Sequence, residues 1–118
     1  MKYLLLIVFV LAAVAVQAVE PAVEKHYNQA CLLRDQGDFT AAIEAVGKGI
    51  ALNPVDREWF AKCELLSAEL YVKLGMLDAA VTTVRQMQML YAGTDYEKQA
   101  LALSTKIDQL IEQSGKPE

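Results

Sequence analysis

The chain has 118 residues, of which 54% are hydrophobic, and its formal net charge is −4. This length suits one small domain built around a single core. Because acidic residues outnumber basic ones and the basic residues form no cluster, we expect neither nucleic acid nor anionic lipid as a partner.

The N-terminal segment is much more apolar than the rest of the chain. A lysine precedes an uninterrupted hydrophobic run from Tyr3 to Val16, about as long as a signal-peptide core and shorter than the ~20 residues of a membrane-spanning helix. Small residues at Val16 and Ala18 fit a signal-peptidase site. We therefore expect residues 1–18 to be a cleaved signal peptide, which leaves Val19 as the mature N-terminus. The alternative is a retained N-terminal anchor.

The first predicted helix opens at Glu20-Pro21 and ends near Gly37, which can adopt the positive φ of a helix terminus. Asp38 is placed to cap a second helix by accepting a backbone N–H bond. That helix should stop at Asn53-Pro54, because the residue before a proline is pushed out of the α region. Its apolar stripe has helical spacing and consists of Phe39, Ala42, Ile43, Val46 and Ile50.

Three further helices are predicted. The third runs from about Asp56 to Leu74 and the fourth from about Leu77 to Tyr91, each with apolar residues at helical spacing. Thr94 and Glu97 form the capping-box pattern T-x-x-E, which predicts the start of a fifth helix. This helix should reach residue 113, and residues 114–118 form a polar tail. No segment alternates apolar and polar residues with period two, so we expect no sheet.

The predicted helices repeat as pairs. The stretch from Gly37 to Ile43, GDFTAAI, matches the stretch from Gly75 to Val81, GMLDAAV, at an offset of 38 residues. Each copy lies between a helix that ends and a helix that begins. The unit is therefore a helix–turn–helix pair, present about twice and followed by a lone helix, and such pairs stack into a solenoid.

These residues resemble the tetratricopeptide repeat family. The first copy covers residues 23–56, and its matching positions are Ala30, Leu33, Phe39, Ala42, Val46, Gly49 and Pro54. The second copy keeps Ala68, Tyr71, Gly75, Leu77, Ala80 and Val84, but has Met87 where the family has a small residue. The resemblance implies an all-α, short right-handed α-solenoid over residues 19–113, with about two pairs and a C-terminal capping helix.

The resemblance also implies a function. In this family the first helix of each pair lines a groove that receives a peptide or a partner's surface. The corresponding positions here are Glu24, Tyr27, Cys31 and Arg34 in the first copy and Lys62, Leu65, Glu69 and Val72 in the second. The competing interpretation is that the polar residues form a solvated helix face and that Tyr27 and Leu65 belong to the core.

We thus expect a protein–protein interaction module that is exported, periplasmic or secreted, and acts as an assembly or scaffold factor for another protein. One alternative is a membrane-anchored accessory subunit of an envelope complex. A remote alternative is a small enzyme or ligand carrier.

The sequence offers little for catalysis. His26 is the only histidine, and Cys31, five positions later on the same helix, points about 140° away from it. The chain has no zinc-ligand spacing and no glycine-rich phosphate loop. We expect no enzyme activity, no metal and no cofactor.

Two further expectations concern side-chain packing. Cys31 and Cys63 are the only cysteines, and an exported chain meets an oxidising compartment that permits a disulfide between them. Their registers differ by about 9 Å along parallel helices, however, so the alternative is two buried thiols. In the tetratricopeptide repeat family the position of Gly49 is small because the first helix of the next pair crosses close to it. The resemblance therefore implies that the third helix crosses at Gly49, through Phe60 or Trp59.

Overall fold

A computed structural model describes residues 20–115 of the chain. This part contains five α-helices and no β-strand, so the predicted all-α fold class is confirmed. The helices are α1 (20–35), α2 (Phe39–Ala51), α3 (Arg57–Lys73), α4 (Leu77–Leu90) and α5 (Asp95–Ser114). None of the helices in this range has the length and apolar character required to cross a membrane. The predicted signal peptide or anchor at residues 1–18 lies outside the described residues.

The two intra-pair turns have the same backbone geometry. Gly37 and Gly75 adopt φ angles of +80° and +74°, which L-residues with a Cβ rarely occupy. After each glycine, one N–H reaches back five residues, from Asp38 to the Leu33 carbonyl at 2.9 Å and from Met76 to the Tyr71 carbonyl at 2.8 Å. These bonds satisfy carbonyls that the ends of α1 and α3 leave free. The repeat predicted from the matching stretches is therefore a repeat of structure.

The helix caps follow the sequence less uniformly. Asp38 caps α2 as predicted, accepting a bond of 3.2 Å from the Ala41 N–H, and Asp56 caps α3 through the Glu58 N–H at 2.9 Å. The predicted capping box at α5 is wrong. The Thr94 hydroxyl donates to the Tyr91 carbonyl instead of capping α5, and the Glu97 carboxylate accepts from the Gly93 N–H. The Thr94 hydroxyl is thus bonded to the preceding turn, and the reciprocal pair of bonds that defines a capping box does not form.

Helix α3 is the centre of the fold because it faces two hydrophobic clusters. Its residues Cys63, Leu66 and Leu70 join the first cluster with α1 and α2, where Val23, Ala30, Ala42 and Val46 are fully buried. Its opposite face contributes Ala61 and Ala68 to a second cluster with α4 and α5, which contains Ala80, Val84, Met87, Ala100 and Ile107. The two clusters therefore share one helix.

The neighbours of Gly49 differ from the prediction. A Cβ at this position would lie 3.5 Å from the His26 Cβ, 3.7 Å from the Cys63 Sγ and 3.8 Å from the Val23 carbonyl oxygen. Helix α3 does cross here, as expected, but through Cys63 and not through Phe60 or Trp59. The prediction that α3 crosses close to Gly49 was correct, but the predicted contact residues were wrong. The rotation of α3 about its own axis decides which of its residues face Gly49, and that rotation is set by contacts elsewhere along the helix.

Candidate functional site

The first helix of each pair, together with α5, lines a common depression. Every side chain around this depression of about 280 Å³ belongs to α1, α3 or α5, and the lining residues are Tyr27, Arg34, Lys62, Leu65, Leu66, Glu69, Tyr96 and Gln99. Side chains one turn apart on α3 share a face, which explains why Lys62, Leu65, Leu66 and Glu69 appear together.

A second depression continues the first along the same three helices. It has a volume of about 260 Å³ and is lined by Arg34, Glu69, Leu70, Val72, Lys73, Leu103 and Lys106. Arg34 and Glu69 border both depressions, so the two form one continuous surface, which we call the groove. Each depression alone is smaller than the roughly 300–1,000 Å³ of sites that enclose a drug-sized ligand, and the two lie next to each other along the same helices. The groove is therefore elongated, as a docking surface for an extended segment would be.

The predicted groove residues are largely brought together. Tyr27, Arg34, Lys62, Leu65 and Glu69 line the first depression. Val72 lines the second. Glu24 borders neither depression and is exposed on α1, and Cys31 is half-buried against the first cluster.

Sequence reasoning missed the contribution of α5. Tyr96 and Gln99 line the first depression, and Leu103 and Lys106 line the second. The resemblance had implied only a capping role for α5. The order of the helices contained the missing signal, since α5 follows α4 as α3 follows α2 and so falls on the same side as α1 and α3.

One end of the groove is aromatic. The Tyr27 and Trp59 rings meet edge to face with centroids 5.7 Å apart, and the Lys62 Nζ lies 4.7 Å from the Trp59 ring centroid. Burial raises the pKa of Tyr27 to about 12, with a further contribution from the Cys31 thiol. The Tyr96 hydroxyl lies 3.5 Å from the Glu58 carboxylate. This end offers apolar ring surface with protonated hydroxyls.

The centre of the groove is charged. Glu69 Oε2 lies 3.9 Å from Arg34 Nη1, while the Arg34 Nε donates to Asp35 at 3.1 Å. Burial raises the pKa of the Glu69 carboxyl, against the opposing charges of Arg34 and Lys106. The pair is long for a salt bridge and about two-fifths of the Glu69 side chain is exposed, so the interaction is weak.

The cysteines lie near each other beneath the aromatic end. Both are free thiols in the structure. Cys63 is fully buried, and burial raises its pKa to about 11, with the Cys31 charge adding to the effect. No disulfide joins them here, and of the two alternatives that the sequence left open we predict free thiols in the native protein.

A separate depression at the α4–α5 turn is a structural joint. Arg57 donates to the Leu90 carbonyl and lies 5.6 Å from the Tyr91 ring centroid. Burial raises the pKa of Tyr91 to about 12. The cation thus satisfies a carbonyl at the end of α4 and fixes the path of the chain into α5.

Comparison with known families supports the repeat interpretation of the first pair. A family model described as "tetratricopeptide repeat" matches residues 26–56, which run from α1 through α2 to the N-cap of α3. The chain carries a tetratricopeptide repeat. The predicted family is thereby confirmed by the match to the first pair. The second pair has the same turn geometry and helix order as the first pair. No curated protein and no solved structure matched the chain.

Tetratricopeptide repeats are protein–protein interaction modules, and the match supports that general function for this chain. Such domains are typically non-enzymatic. Within residues 20–115, no three histidine, cysteine or acidic side chains come together as a metal site would require.

Proposed function

We propose that this tetratricopeptide-repeat protein is an exported interaction module that binds a peptide or the surface of another protein in the groove of α1, α3 and α5. It acts as an assembly or scaffold factor in the cell envelope. The observation that carries the proposal is the common origin of the groove-lining residues. All of them come from α1, α3 and α5, and they combine aromatic, aliphatic and charged side chains.

Such a mixture is typical of recognition surfaces. Aromatic residues and arginine are enriched where proteins contact each other, and a polar rim around an apolar floor fixes orientation. Here Leu66 and Leu70 form a buried floor, while Arg34, Lys62 and Glu69 stand around it. The groove is short, so the interface is small and the complex is of moderate affinity.

The export part of the proposal depends on the N-terminal sequence. The apolar run from Tyr3 to Val16 has the length of a signal-peptide core, and Ala18 precedes the expected cleavage point. Mass spectrometry of the native N-terminus tests it, with Val19 as the expected first residue. A full-length chain that resists carbonate extraction from membranes would instead support the membrane-anchored accessory subunit.

Site-specific photo-crosslinking tests the binding surface. A photoreactive amino acid replaces Leu65 on the groove wall, and in a matched control it replaces Thr82, which is exposed on α4. Irradiation of intact cells should give a discrete crosslinked band from position 65 and none from position 82. Crosslinking from position 82 alone would contradict the groove as the binding surface.

A further inference from the structure

The charge of the groove is opposite to that of the chain. Four cationic side chains line its two depressions, Arg34, Lys62, Lys73 and Lys106, against the single carboxylate of Glu69. The formal net charge of the whole chain is −4. Positive side chains are therefore concentrated on one concave face of an acidic protein, which favours an anionic partner there.

Glu69 is the acidic side chain among the cations of the groove. It borders both depressions, and its Oε2 lies 3.9 Å from the Arg34 Nη1. Burial raises the pKa of its carboxyl, whereas the positive charge of Lys106 on α5 also acts on it and lowers that pKa. Lys62 and Lys73 flank it on α3 at either end of the groove. Tyr27 on α1 is a further neighbour of Glu69, and Asp35 lies on the other side of Arg34. Glu69 is thus the internal counter-ion of a cationic groove.

We propose that the groove takes an acidic segment of a partner protein, whose side-chain carboxylates lie between Arg34 and Lys106 and displace Glu69 as their counter-ion. An apolar or aromatic side chain of the same segment packs at the aromatic end, against Tyr27, Leu65 and Tyr96. This inference rests on the proposed function and adds to it the chemistry of the partner.

The groove has a cationic rim and an apolar floor, which is why we expect the bound segment to carry both carboxylates and an apolar side chain. The lysine amines and the arginine fork supply donors around the rim, whereas Leu66 and Leu70 offer no hydrogen bonds. A purely acidic segment would leave the aromatic end empty. A purely apolar segment would leave the cations without partners inside the interface, which costs binding energy.

Selection from a random library of 12-residue displayed peptides on the purified protein tests the proposal without assuming a partner. The selected peptides should be enriched in Asp and Glu, depleted in Lys and Arg, and should contain a large apolar residue. A synthetic copy of a selected peptide is then measured by fluorescence anisotropy. Amidation of its C-terminus should leave the Kd unchanged, because the recognised carboxylates belong to side chains.

Variants assign the contacts. Arg34→Gln and Lys106→Gln should each weaken binding about three- to tenfold, as expected for loss of one partly exposed ionic contact. Glu69→Gln should tighten binding about two- to fivefold, since the internal competitor loses its charge. Arg85→Gln, at an exposed position on α4, is the matched control and should have no effect.

The failures of the two proposals can be told apart. Selected peptides without acidic bias, a Kd insensitive to Arg34→Gln and Lys106→Gln, or loss of binding on amidation would overturn the acidic-segment proposal. If those peptides still lose binding to Leu65→Arg, the groove function stands. Recovery of no peptide, or of peptides indifferent to Leu65→Arg, would overturn both.

Discussion

Burial reinforces the neutral state of three side chains, Tyr27 in the groove and Cys63 and Tyr91 outside it. The pKa values of Tyr27 and Tyr91 rise to about 12 and that of Cys63 to about 11, in each case chiefly through burial. These three groups are neutral at physiological pH. The hydroxyls are hydrogen-bond donors as well as acceptors, and the Cys63 thiol is a poor nucleophile because the thiolate is the reactive form.

The difference in burial between the two cysteines predicts different reactivity. In the native protein a thiol reagent should modify half-buried Cys31 first and Cys63 only on unfolding. The denatured, unreduced protein should give two free thiols per chain. In the control variant Cys31→Ala, only the slow modification of Cys63 should remain. Recovery of no free thiol together with a monomeric mass would contradict this result and establish the disulfide.

A second residue-scale prediction concerns Glu64, whose Oε2 is buried without a hydrogen-bond partner. Burial raises the pKa of this carboxyl above its ordinary value of 4.5, against a smaller, opposing effect of the nearby Tyr91 hydroxyl. The folded state therefore holds the proton to a higher pH than the unfolded state, so ionisation at neutral pH costs stability. Glu64→Gln should raise the free energy of unfolding at pH 7, by an amount limited by the partial exposure of the side chain.

This gain should appear as an increase in Tm. It should shrink as the pH falls and vanish below about 4.5, where the carboxyl is protonated in both states. Glu44→Gln, at an exposed position on α2, is the control. A Tm difference that does not depend on pH would show that ionisation of Glu64 is not its cause.

At the scale of elements, the two helix crossings solve the same packing problem differently. Gly49 allows α1 and α3 to approach α2, with His26 and Cys63 as neighbours. The equivalent position in α4 is Met87, which is fully buried in the cluster that contains Ala100 of α5. In the first crossing the small residue is Gly49 of α2 and the larger one is Cys63 of α3. In the second crossing the larger residue is Met87 of α4 and the small one is Ala100 of α5. Such pairing of small with large residues preserves packing density.

Substitutions at two glycines of α2 test this packing. Gly49→Leu should destabilise the protein by about 1–3 kcal/mol, because its added atoms have no space between α1 and α3. Gly47 is exposed on the same helix and a Cβ there would meet no neighbouring atom, so Gly47→Leu should stabilise by about 0.5–1 kcal/mol through helix propensity. Urea unfolding measures both, and equal effects would show that Gly49 does not lie at a close crossing.

Local chemistry decided which elements the sequence could predict. The turn at Gly37 and the cap at Asp38 depend on residues within one turn, and both are as expected. The capping box at Thr94 failed because the preceding turn redirects its hydroxyl to Tyr91. The neighbours of Gly49 were misjudged because the rotation of α3 depends on contacts made along its whole length.

At the scale of the molecule, α3 couples the two pairs. Its opposite faces belong to the two hydrophobic clusters, so neither cluster can open without exposing one face of α3. The described residues should therefore unfold as one cooperative unit and not pair by pair.

A charge placed in either cluster should unfold both. Ala42 in the first cluster and Ala80 in the second are completely buried. An unpaired aspartate at either position costs several kcal/mol, against a total stability of about 5–15 kcal/mol for a small domain. Ala42→Asp and Ala80→Asp should each abolish cooperative melting in circular dichroism, and Ala102→Asp, at an exposed position on α5, should not. Native melting of either buried variant would contradict the shared core.

The groove itself was predictable only in part. Six positions on α1 and α3 follow from the resemblance to the tetratricopeptide repeat, and these six side chains line the groove. The contribution of α5 and its Lys106 depends on how the last helix packs against both α3 and α4. Those contacts join residues far apart in the sequence, so spacing alone did not reveal the cationic lining.

The central claim is that partners bind in the groove of α1, α3 and α5. Methyl NMR of the protein with a peptide selected on it, or with the partner that the crosslink identifies, tests this most directly. The methyl signals of Leu65, Val72 and Leu103 should shift on binding, whereas those of Leu52 and Leu101, which are exposed outside the groove, should not. Shifts confined to Leu52, Leu101 or the α4 side chains would contradict the claim.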